Sequence, residues 1–253
     1  MWNAELYNKF GRERLQPSVD LINRLGDRPM GRILDIGCGS GLSTGALRAR
    51  WPEAEIVGVD LSPEMLEKAK ETVPSVTWLL RDCSKPLDNL GTFDLVFSNA
   101  FLQWLKNQEE FLKNTRSLLK ENGVLAIQLP DFKSMPVRDC INKVASAYSV
   151  LIGIDGELYD NADITTYYDF LKRYYATAEV WRVSYYHALE NHQAILNFIK
   201  GTALGPYLSR LTAAEAEHFL HKLLEEIKNC YAIQEDGTVL FEFKRMFLLA
   251  GRL

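Results

Sequence analysis

Short apolar runs alternate with segments of helical spacing between Arg32 and Leu129. A run of consecutive apolar residues is typical of a buried strand, whereas apolar positions three and four residues apart are typical of a helix. The pattern predicts five buried strands, over residues 32–38, 55–60, 76–82, 93–99 and 123–129. This alternation predicts an α/β fold with a parallel sheet, helices on both faces, and ligands at the carboxyl ends of the strands.

Two helix boundaries in this region carry their own signals. Ser62 and Pro63 suit the N-cap and the first turn of a helix. Asn122 and Gly123 suit a left-handed C-cap, which predicts a helix over about residues 108–120.

The rest of the chain is less regular. Further strands are expected over residues 179–187 and 239–250, and further helices over residues 136–151, 165–175, 192–200 and 213–229. We expect one domain over residues 1–253, whose core comprises residues 30–187 and 238–253. Residues 188–237 form a long connection, which predicts a helical insertion that caps the substrate. Residues 1–28 predict a helical lid, interrupted around Gly11 and Pro17.

Composition and charge exclude several classes of protein. Apolar residues make up 47% of the 253 residues and the formal net charge is −4, which argues against disorder and against a nucleic-acid-binding face. No apolar run approaches the roughly 20 residues of a membrane span, and the first residues do not resemble a secretory signal. The four cysteines lie far apart without metal-ligand spacing. We expect a cytoplasmic protein, monomeric or homodimeric, with no metal and no nucleic-acid or membrane partner.

A cluster of glycines follows the first predicted strand, in Asp35-Ile-Gly37-Cys38-Gly39-Ser-Gly41. Glycines at such a turn allow a ligand to approach the backbone. Dinucleotide-binding turns have glycines at the first, third and sixth positions, and counting from Gly37 the sixth residue is Leu42. The acidic Asp35 before the turn favours a cationic ligand over a pyrophosphate.

Polar residues also end the next three predicted strands, at Asp60, Asp82 and Asn99. A carboxylate at the end of the second strand can accept hydrogen bonds from both hydroxyls of a ribose. Any one of these residues is equally well explained as a cap or a turn residue. Together with Asp35 of the first strand and the glycine turn, these three polar strand ends predict a ligand site.

These segments resemble the motifs of class I S-adenosylmethionine-dependent methyltransferases, over about residues 30–130. The resemblance implies a Rossmann-like, mostly parallel sheet of seven strands with an antiparallel last strand. It also implies S-adenosyl-L-methionine as the cofactor. The implied contacts are Gly37, Cys38, Gly39 and Asn99 with the methionyl part, Asp35 with its ammonium group, Asp60 with the ribose, and Leu61, Met65, Asp82 and Cys83 with adenine.

A narrower resemblance, to the trans-aconitate 2-methyltransferase family, covers almost the whole chain. It is carried by Trp2-Asn3, Tyr7, Phe10, Arg14, Pro17 and residues 99–104, 128–131 and 181–187. The resemblance implies methyl transfer to a carboxylate oxygen of a small organic acid, trans-aconitate or a related polycarboxylate. In the tract over residues 202–208, Gly205 stands where that family usually has an arginine. Candidate contacts are Arg14 for the cofactor and Tyr7, Gln103, Trp104, Tyr186 and His187 for the substrate.

A carboxylate acceptor is ionised at neutral pH, so we expect no catalytic acid or base, and alignment of the reactants instead. Three alternatives remain open. One is O- or N-methylation of another small metabolite or acyl chain, with a base such as His187. Another is an NAD(P)-dependent oxidoreductase, which Leu42 disfavours, and the third is a cofactor-binding protein without catalysis.

Overall fold

A computed structural model describes residues 11–154, 161–201 and 203–252 of the protein. The strands are β1 (Arg32–Ile36), β2 (Glu55–Asp60), β3 (Thr77–Leu80), β4 (Phe93–Asn99), β5 (Leu119–Pro130), β6 (Thr177–Leu189) and β7 (Val239–Gly251). They form a seven-stranded sheet in the order β3-β2-β1-β4-β5-β7-β6. The first five strands pair in parallel, β2 with β3, β1 with β2 and β4, and β4 with β5.

Strand β7 runs antiparallel to β5. At one end of the pair, Asn122 N–H donates to the Arg252 carbonyl and Arg252 N–H donates to the Gly123 carbonyl. At the other end, Asp131 N–H donates to the Lys244 carbonyl. The pairing residues rise along one strand as they fall along the other, which defines an antiparallel pair. The predicted Rossmann-like sheet, mostly parallel with an antiparallel last strand, is confirmed.

Helices cover the sheet and fill its connections. They are α1 (Gly11–Arg24), α2 (Leu42–Arg50), α3 (Pro63–Thr72), α4 (Gln108–Thr115), α5 (Pro136–Ala145), α6 (Ile164–Tyr174), α7 (His192–Lys200), α8 (Gly205–Leu208) and α9 (Ala213–Cys230). The predicted cap of α3 is present, because the Ser62 hydroxyl accepts from Met65 N–H at 3.3 Å. Among the described residues, none of the helices combines the length and the apolar character that crossing a membrane requires.

Three predicted helix boundaries are wrong. Helix α1 continues through Pro17 without the expected interruption, since its apolar face is fixed by the buried Leu21 and Ile22. Helix α5 ends at Ala145 and is followed by a separate turn of 3₁₀ helix over Ser149–Leu151.

The third error concerns the end of α4. This helix stops at Thr115, a 3₁₀ turn follows, and β5 already begins at Leu119. Asn122 does adopt a left-handed conformation, with a φ of 65°, but inside β5 and not at a helix end. It lies where the register between β4 and β5 shifts, so its backbone accommodates a bulge.

The chain divides into two compact units. The larger unit comprises Leu15–Pro130, Ala162–Arg182 and Met246–Leu253, and the smaller unit comprises Met1–Arg14, Asp131–Asn161 and Val183–Arg245. The core of the larger unit is built on the parallel strands, with Leu34, Val57, Val96 and Leu125 fully or almost fully buried. The core of the smaller unit is rich in aromatic rings, among them Phe198, Tyr207, Phe219 and Phe241.

Candidate active site

The glycine turn joins β1 to α2 in the larger unit. Gly37 N–H and Cys38 N–H both donate to the Val59 carbonyl of β2, at 2.9 and 3.1 Å. Gly37, Gly39 and Gly41 have φ angles of 70°, 54° and 84°. These values lie in the left-handed region that only glycine adopts without strain.

The three glycines of the turn have different surroundings. A Cβ at Gly37 would lie 2.4 Å from the Phe101 ring, and a Cβ at Gly41 would lie 3.2 Å from the Trp78 ring. At Gly39 a Cβ would meet nothing within 4 Å. Gly37 and Gly41 are thus required by packing, whereas the backbone at Gly39 faces open space that a ligand can occupy.

Asp60 ties the end of β2 to this turn. Its Oδ2 accepts from Gly39 N–H at 2.9 Å, and its Oδ1 accepts from Ser62 N–H at 2.9 Å. The next side chain, Leu61, is 65% exposed. This pair of neighbours suits a nucleoside. The flat base would pack on the exposed Leu61 side chain, and the ribose hydroxyls would donate to the fixed Asp60 carboxylate.

Asp35 is fully buried beneath the turn. Its Oδ2 accepts from the Thr44 and Ser43 hydroxyls of α2 at 2.6 and 3.2 Å, while its Oδ1 has no hydrogen-bond partner among the described residues. Burial raises the pKa of Asp35 to about 6, the two hydroxyl bonds oppose that rise, and the nearby Asp60 adds to it. A buried carboxylate with one spare oxygen is suited to a cationic group.

Asp82 and Cys83 lie in the turn after β3. The strand ends at Leu80, so Asp82 comes two residues beyond it and not at its end as predicted. Hydrogen bonds from the Ser84 hydroxyl and N–H to Asp82, at 2.6 and 3.1 Å, hold the pKa of this carboxyl below its usual value. Burial raises the pKa of the Cys83 thiol to about 12, so this group is a neutral thiol at physiological pH.

The carboxyl end of β4 carries a group of buried amides. The Asn99 Oδ1 and the Gln103 Oε1 are buried and have no hydrogen-bond partner in the described part of the chain. Gln103 Nε2 donates to the Ala100 carbonyl at 2.7 Å, and Ala100 has a φ of 55° that L residues rarely adopt. Strain and unpaired polar atoms together at a strand end are typical of a functional site. Trp104, a few residues further on, is 51% exposed.

Tyr186 and His187 lie on β6 in the smaller unit, and consecutive strand residues face opposite sides of the sheet. Tyr186 is 61% exposed, and its hydroxyl donates to Glu242 Oε1 at 2.9 Å. His187 packs with its ring centroid 5.6 Å from that of Phe243 and 6.1 Å from that of Phe198. One small ligand is therefore not expected to contact both Tyr186 and His187.

The His187 ring is partly buried, and its Nε2 has no hydrogen-bond partner among the described residues. Burial lowers the pKa of His187, Glu13 opposes this effect and Arg245 reinforces it. The imidazole is therefore neutral at physiological pH, and in this form it can act as a hydrogen-bonding group.

Two predicted site residues cannot be placed. Tyr7 lies outside the described residues. Arg14 belongs to α1, but its side chain also lies outside what the structure describes.

The sequence analysis missed several residues that the structure brings to these places. Ser43 and Thr44 carry a recognisable signal, because they are hydroxyl residues in the first turn of the helix that follows the strand containing Asp35. Arg245 is only 5% exposed, and its Cζ lies 3.7 Å from the centroid of the Phe243 ring. No local signal in the sequence marks Arg245 as buried, because Glu242 and Lys244 of the same strand are also charged. Gln128 is fully buried at the end of β5.

The described ranges contain no candidate metal site. In them, no three His, Cys, Asp or Glu side chains come together in a group that could hold a metal ion.

Comparison with known proteins agrees with this geometry. A family profile described as a methyltransferase domain matches residues 34–127. The fold, the glycine turn and this match define a class I S-adenosylmethionine-dependent methyltransferase. Trans-aconitate 2-methyltransferase of Escherichia coli O17:K52:H18 (strain UMN026 / ExPEC) is 37% identical over 251 residues, which cover 99% of this chain and 98% of that protein. The chain belongs to the trans-aconitate 2-methyltransferase family.

Solved structures share the fold at lower sequence identity. The YcgJ protein of Bacillus subtilis is 15% identical with a TM-score of 0.60, and the match covers 94% of this chain and 98% of that one. The plantazolicin methyltransferase BpumL is 16% identical with a TM-score of 0.58, and the match covers 98% of this chain and 88% of that one.

Proposed function

We propose that this protein transfers the methyl group of S-adenosyl-L-methionine to a carboxylate oxygen of trans-aconitate. The observation that carries the proposal is the 37% identity, over 99% of the chain, to a protein named for this reaction. The described residues around the glycine turn support the choice of cofactor.

The described residues fit the cofactor in three respects. Open space at Gly39 leaves room against the backbone. The Asp35 Oδ1 and the Asn99 Oδ1 offer acceptors to the ammonium group and the methionyl part. Asp60 is fixed where ribose hydroxyls would donate, beside the exposed Leu61. When bound, the cofactor supplies an electrophilic methyl group on a positively charged sulfur.

The remaining cofactor contacts in the proposal follow the family resemblance. Gly37 and Cys38 would contact the methionyl part through their backbone, and Met65, Asp82 and Cys83 would surround adenine with Leu61. Arg14 completes the set.

In the proposed reaction the chain aligns the acceptor and excludes water, and it abstracts no proton. A carboxylate has a reference pKa of about 4 and is already a nucleophile at neutral pH. Near-attack alignment supplies a large share of the rate in such a displacement. Of the residues predicted to contact the acceptor, we assign Tyr7, Gln103, Trp104 and His187 to it, with neutral His187 as a hydrogen-bonding group. We leave out Tyr186, because it faces the other side of β6 and its hydroxyl donates to Glu242.

A second candidate is the methylation of a related di- or tricarboxylic acid, and Gly205 is the observation that favours it. Gly205 begins α8, is exposed, and has open space where a side chain would extend. The family usually has an arginine at this position, and the present chain has no cation there. We therefore expect its preference among polycarboxylates to differ from that of the family.

The test is an acceptor panel with labelled S-adenosyl-L-methionine. We expect transfer of label to trans-aconitate and a monomethyl ester as the product in mass spectrometry. Labelling of another polycarboxylate at higher kcat/KM would favour the second candidate. If no carboxylic acid is labelled, the proposed function is wrong. If the rate instead rises with pH as His187 loses its proton, the acceptor is an oxygen or nitrogen that needs a base.

The proposal extends to the organisation of the protein. It takes residues 1–28 as a lid and residues 188–237 as a cap in one methyltransferase domain, and it takes the enzyme as cytoplasmic and as a monomer or homodimer. Cell fractionation and light scattering of the purified protein test the last two points.

A further inference from the structure

Gln128 is a fully buried glutamine whose side-chain amide is unused. Its Oε1 and its Nε2 are both buried, and neither has a hydrogen-bond partner among the described residues. An unpaired buried amide destabilises a fold, and native structures contain few of them. An amide left in this state at the carboxyl end of a parallel strand indicates that a ligand supplies its partners.

Gln108 of the same unit shows what a purely structural glutamine looks like. It is also buried, but its Oε1 accepts from the Tyr167 hydroxyl at 2.6 Å and from Ala162 N–H at 3.3 Å. Its Nε2 donates to the Leu102 carbonyl at 3.4 Å. The contrast shows that this fold can satisfy a buried glutamine, and that it does not do so at Gln128.

The register of the sheet places Gln128 next to the cofactor residues. Gln128 is the β5 partner of Asn99 on β4, and neighbouring strands lie about 4.8 Å apart. Ala100 N–H donates to the Gln128 carbonyl at 2.8 Å, which fixes the backbone of Gln128 at this strand end. In the strand order β2-β1-β4-β5, Asp60 lies at the end of β2 and Gln128 at the end of β5. Gln128 is thus one strand beyond Asn99, on the side away from Asp60.

The chemistry of the neighbouring amides separates their roles. The unpaired atoms of Asn99 and Gln103 are carbonyl oxygens, which only accept hydrogen bonds. The Gln128 Nε2 is an N–H₂ group, which donates two. A carboxylate is an acceptor and finds its donor here at Gln128.

We propose that Gln128 binds the acceptor, by donating from Nε2 to one of its carboxylate groups. This inference rests on the proposed function, since it takes the acceptor to be a carboxylate. It makes Gln128 a binding and orienting residue for the acceptor, distinct from the residues assigned to the cofactor.

The test uses Gln128→Met in the full chain, because methionine retains the size of the side chain and removes the amide. We expect KM for trans-aconitate to rise about tenfold to a hundredfold, as for a lost hydrogen bond to a charged group, with KM for S-adenosyl-L-methionine unchanged. We also expect no loss of thermal stability, because no bond within the protein is removed. Gln108→Met is the matched control, with lower thermal stability and an unchanged KM for the acceptor.

Wild-type turnover of trans-aconitate or another carboxylic acid is measured first, and its absence would overturn the proposed function and this inference together. With an active wild type, a wild-type acceptor KM in Gln128→Met overturns the inference alone. So does a rise in KM that is confined to the cofactor, which would place Gln128 on the methionyl part. If Gln128→Met does not fold, Gln128→Asn, which retains the amide but shortens the side chain, must show the selective rise in acceptor KM for the inference to stand.

Discussion

Asp60 accepts hydrogen bonds from two backbone groups with one carboxylate. One oxygen holds Gly39 of the glycine turn, and the other holds Ser62 at the start of α3. The turn and the helix therefore take their places relative to each other through a single side chain. Such preorganisation reduces the ordering that ligand binding must impose.

Gly39 provides a direct test of where the ligand approaches. We expect Gly39→Ala to destabilise the fold by about 1–2 kcal/mol, because its φ of 54° is left-handed, and to weaken the binding of S-adenosylhomocysteine at least tenfold. Gly26→Ala is the matched control, with a φ of 66° and equally open space but outside the turn. Thermal unfolding and calorimetric titration measure the two effects. Equal affinities in the two variants would place the ligand elsewhere.

Asp35 predicts a pH dependence of stability. Its folded pKa of about 6 exceeds its usual value of 3.8, so the folded state retains the proton more strongly than the unfolded state. The contribution of Asp35 to stability is therefore full below about pH 4 and is lost as the pH rises through about 6. This loss of unfolding free energy amounts to roughly 3 kcal/mol, since each unit of difference between the folded and unfolded pKa corresponds to about 1.4 kcal/mol.

Asp35→Asn checks this expectation, since asparagine can still accept from Thr44 and Ser43. Subtracting the unfolding free energies of variant and wild type, measured from pH 4 to pH 7, isolates the contribution of Asp35 from other carboxyl groups. We expect the variant to gain stability relative to wild type as the pH rises. A difference that stays constant with pH would mean that the pKa of Asp35 is not raised.

At the scale of elements, the parallel strands were predictable because each is a continuous apolar run, and α7 has the predicted bounds of residues 192–200. The end of α4 was not predictable in this way. Phe111, Leu112, Leu118 and Leu119 are all buried and continue a helical spacing. Only the pairing of Leu119 with Phe93 of β4 determines that this segment has become a strand, and such pairing depends on distant residues.

The candidate site divides along the same line. Asp35, the glycines and Asp60 were predictable because strand ends and turns have local sequence signals. Gln128 and Arg245 were not, since the sequence around a polar strand residue does not tell whether the fold buries it. Both are buried.

Helix α9 predicts a stability effect that is separate from binding. Thr212 and Glu215 form a capping box, in which the Thr212 hydroxyl accepts from Glu215 N–H and the Glu215 carboxylate accepts from Thr212 N–H at 2.9 Å. We expect Thr212→Ala to lower the free energy of unfolding by about 1 kcal/mol, and Thr212→Ser to lower it by less. Denaturant unfolding measures both. An unchanged KM for the acceptor is also expected, and a raised one would assign Thr212 to binding.

At the scale of the whole molecule, cofactor binding and folding are linked by mass action. At a concentration of one hundred times Kd, S-adenosylhomocysteine should raise the free energy of unfolding by about 2.7 kcal/mol. NADP(H) at the same concentration should leave it unchanged. Thermal unfolding with each compound measures this, and stabilisation by NADP(H) alone would favour an oxidoreductase.

The position of β7 has a consequence for how the protein is made. This strand comes last in chain order, yet it lies between β5 and β6. On the ribosome, β6 is therefore synthesised well before the neighbour that must separate it from β5. Until residues 239–251 emerge, the exposed backbone of β5 and β6 has to be kept from pairing wrongly, so the nascent chain is most vulnerable to aggregation just before synthesis of this strand is complete.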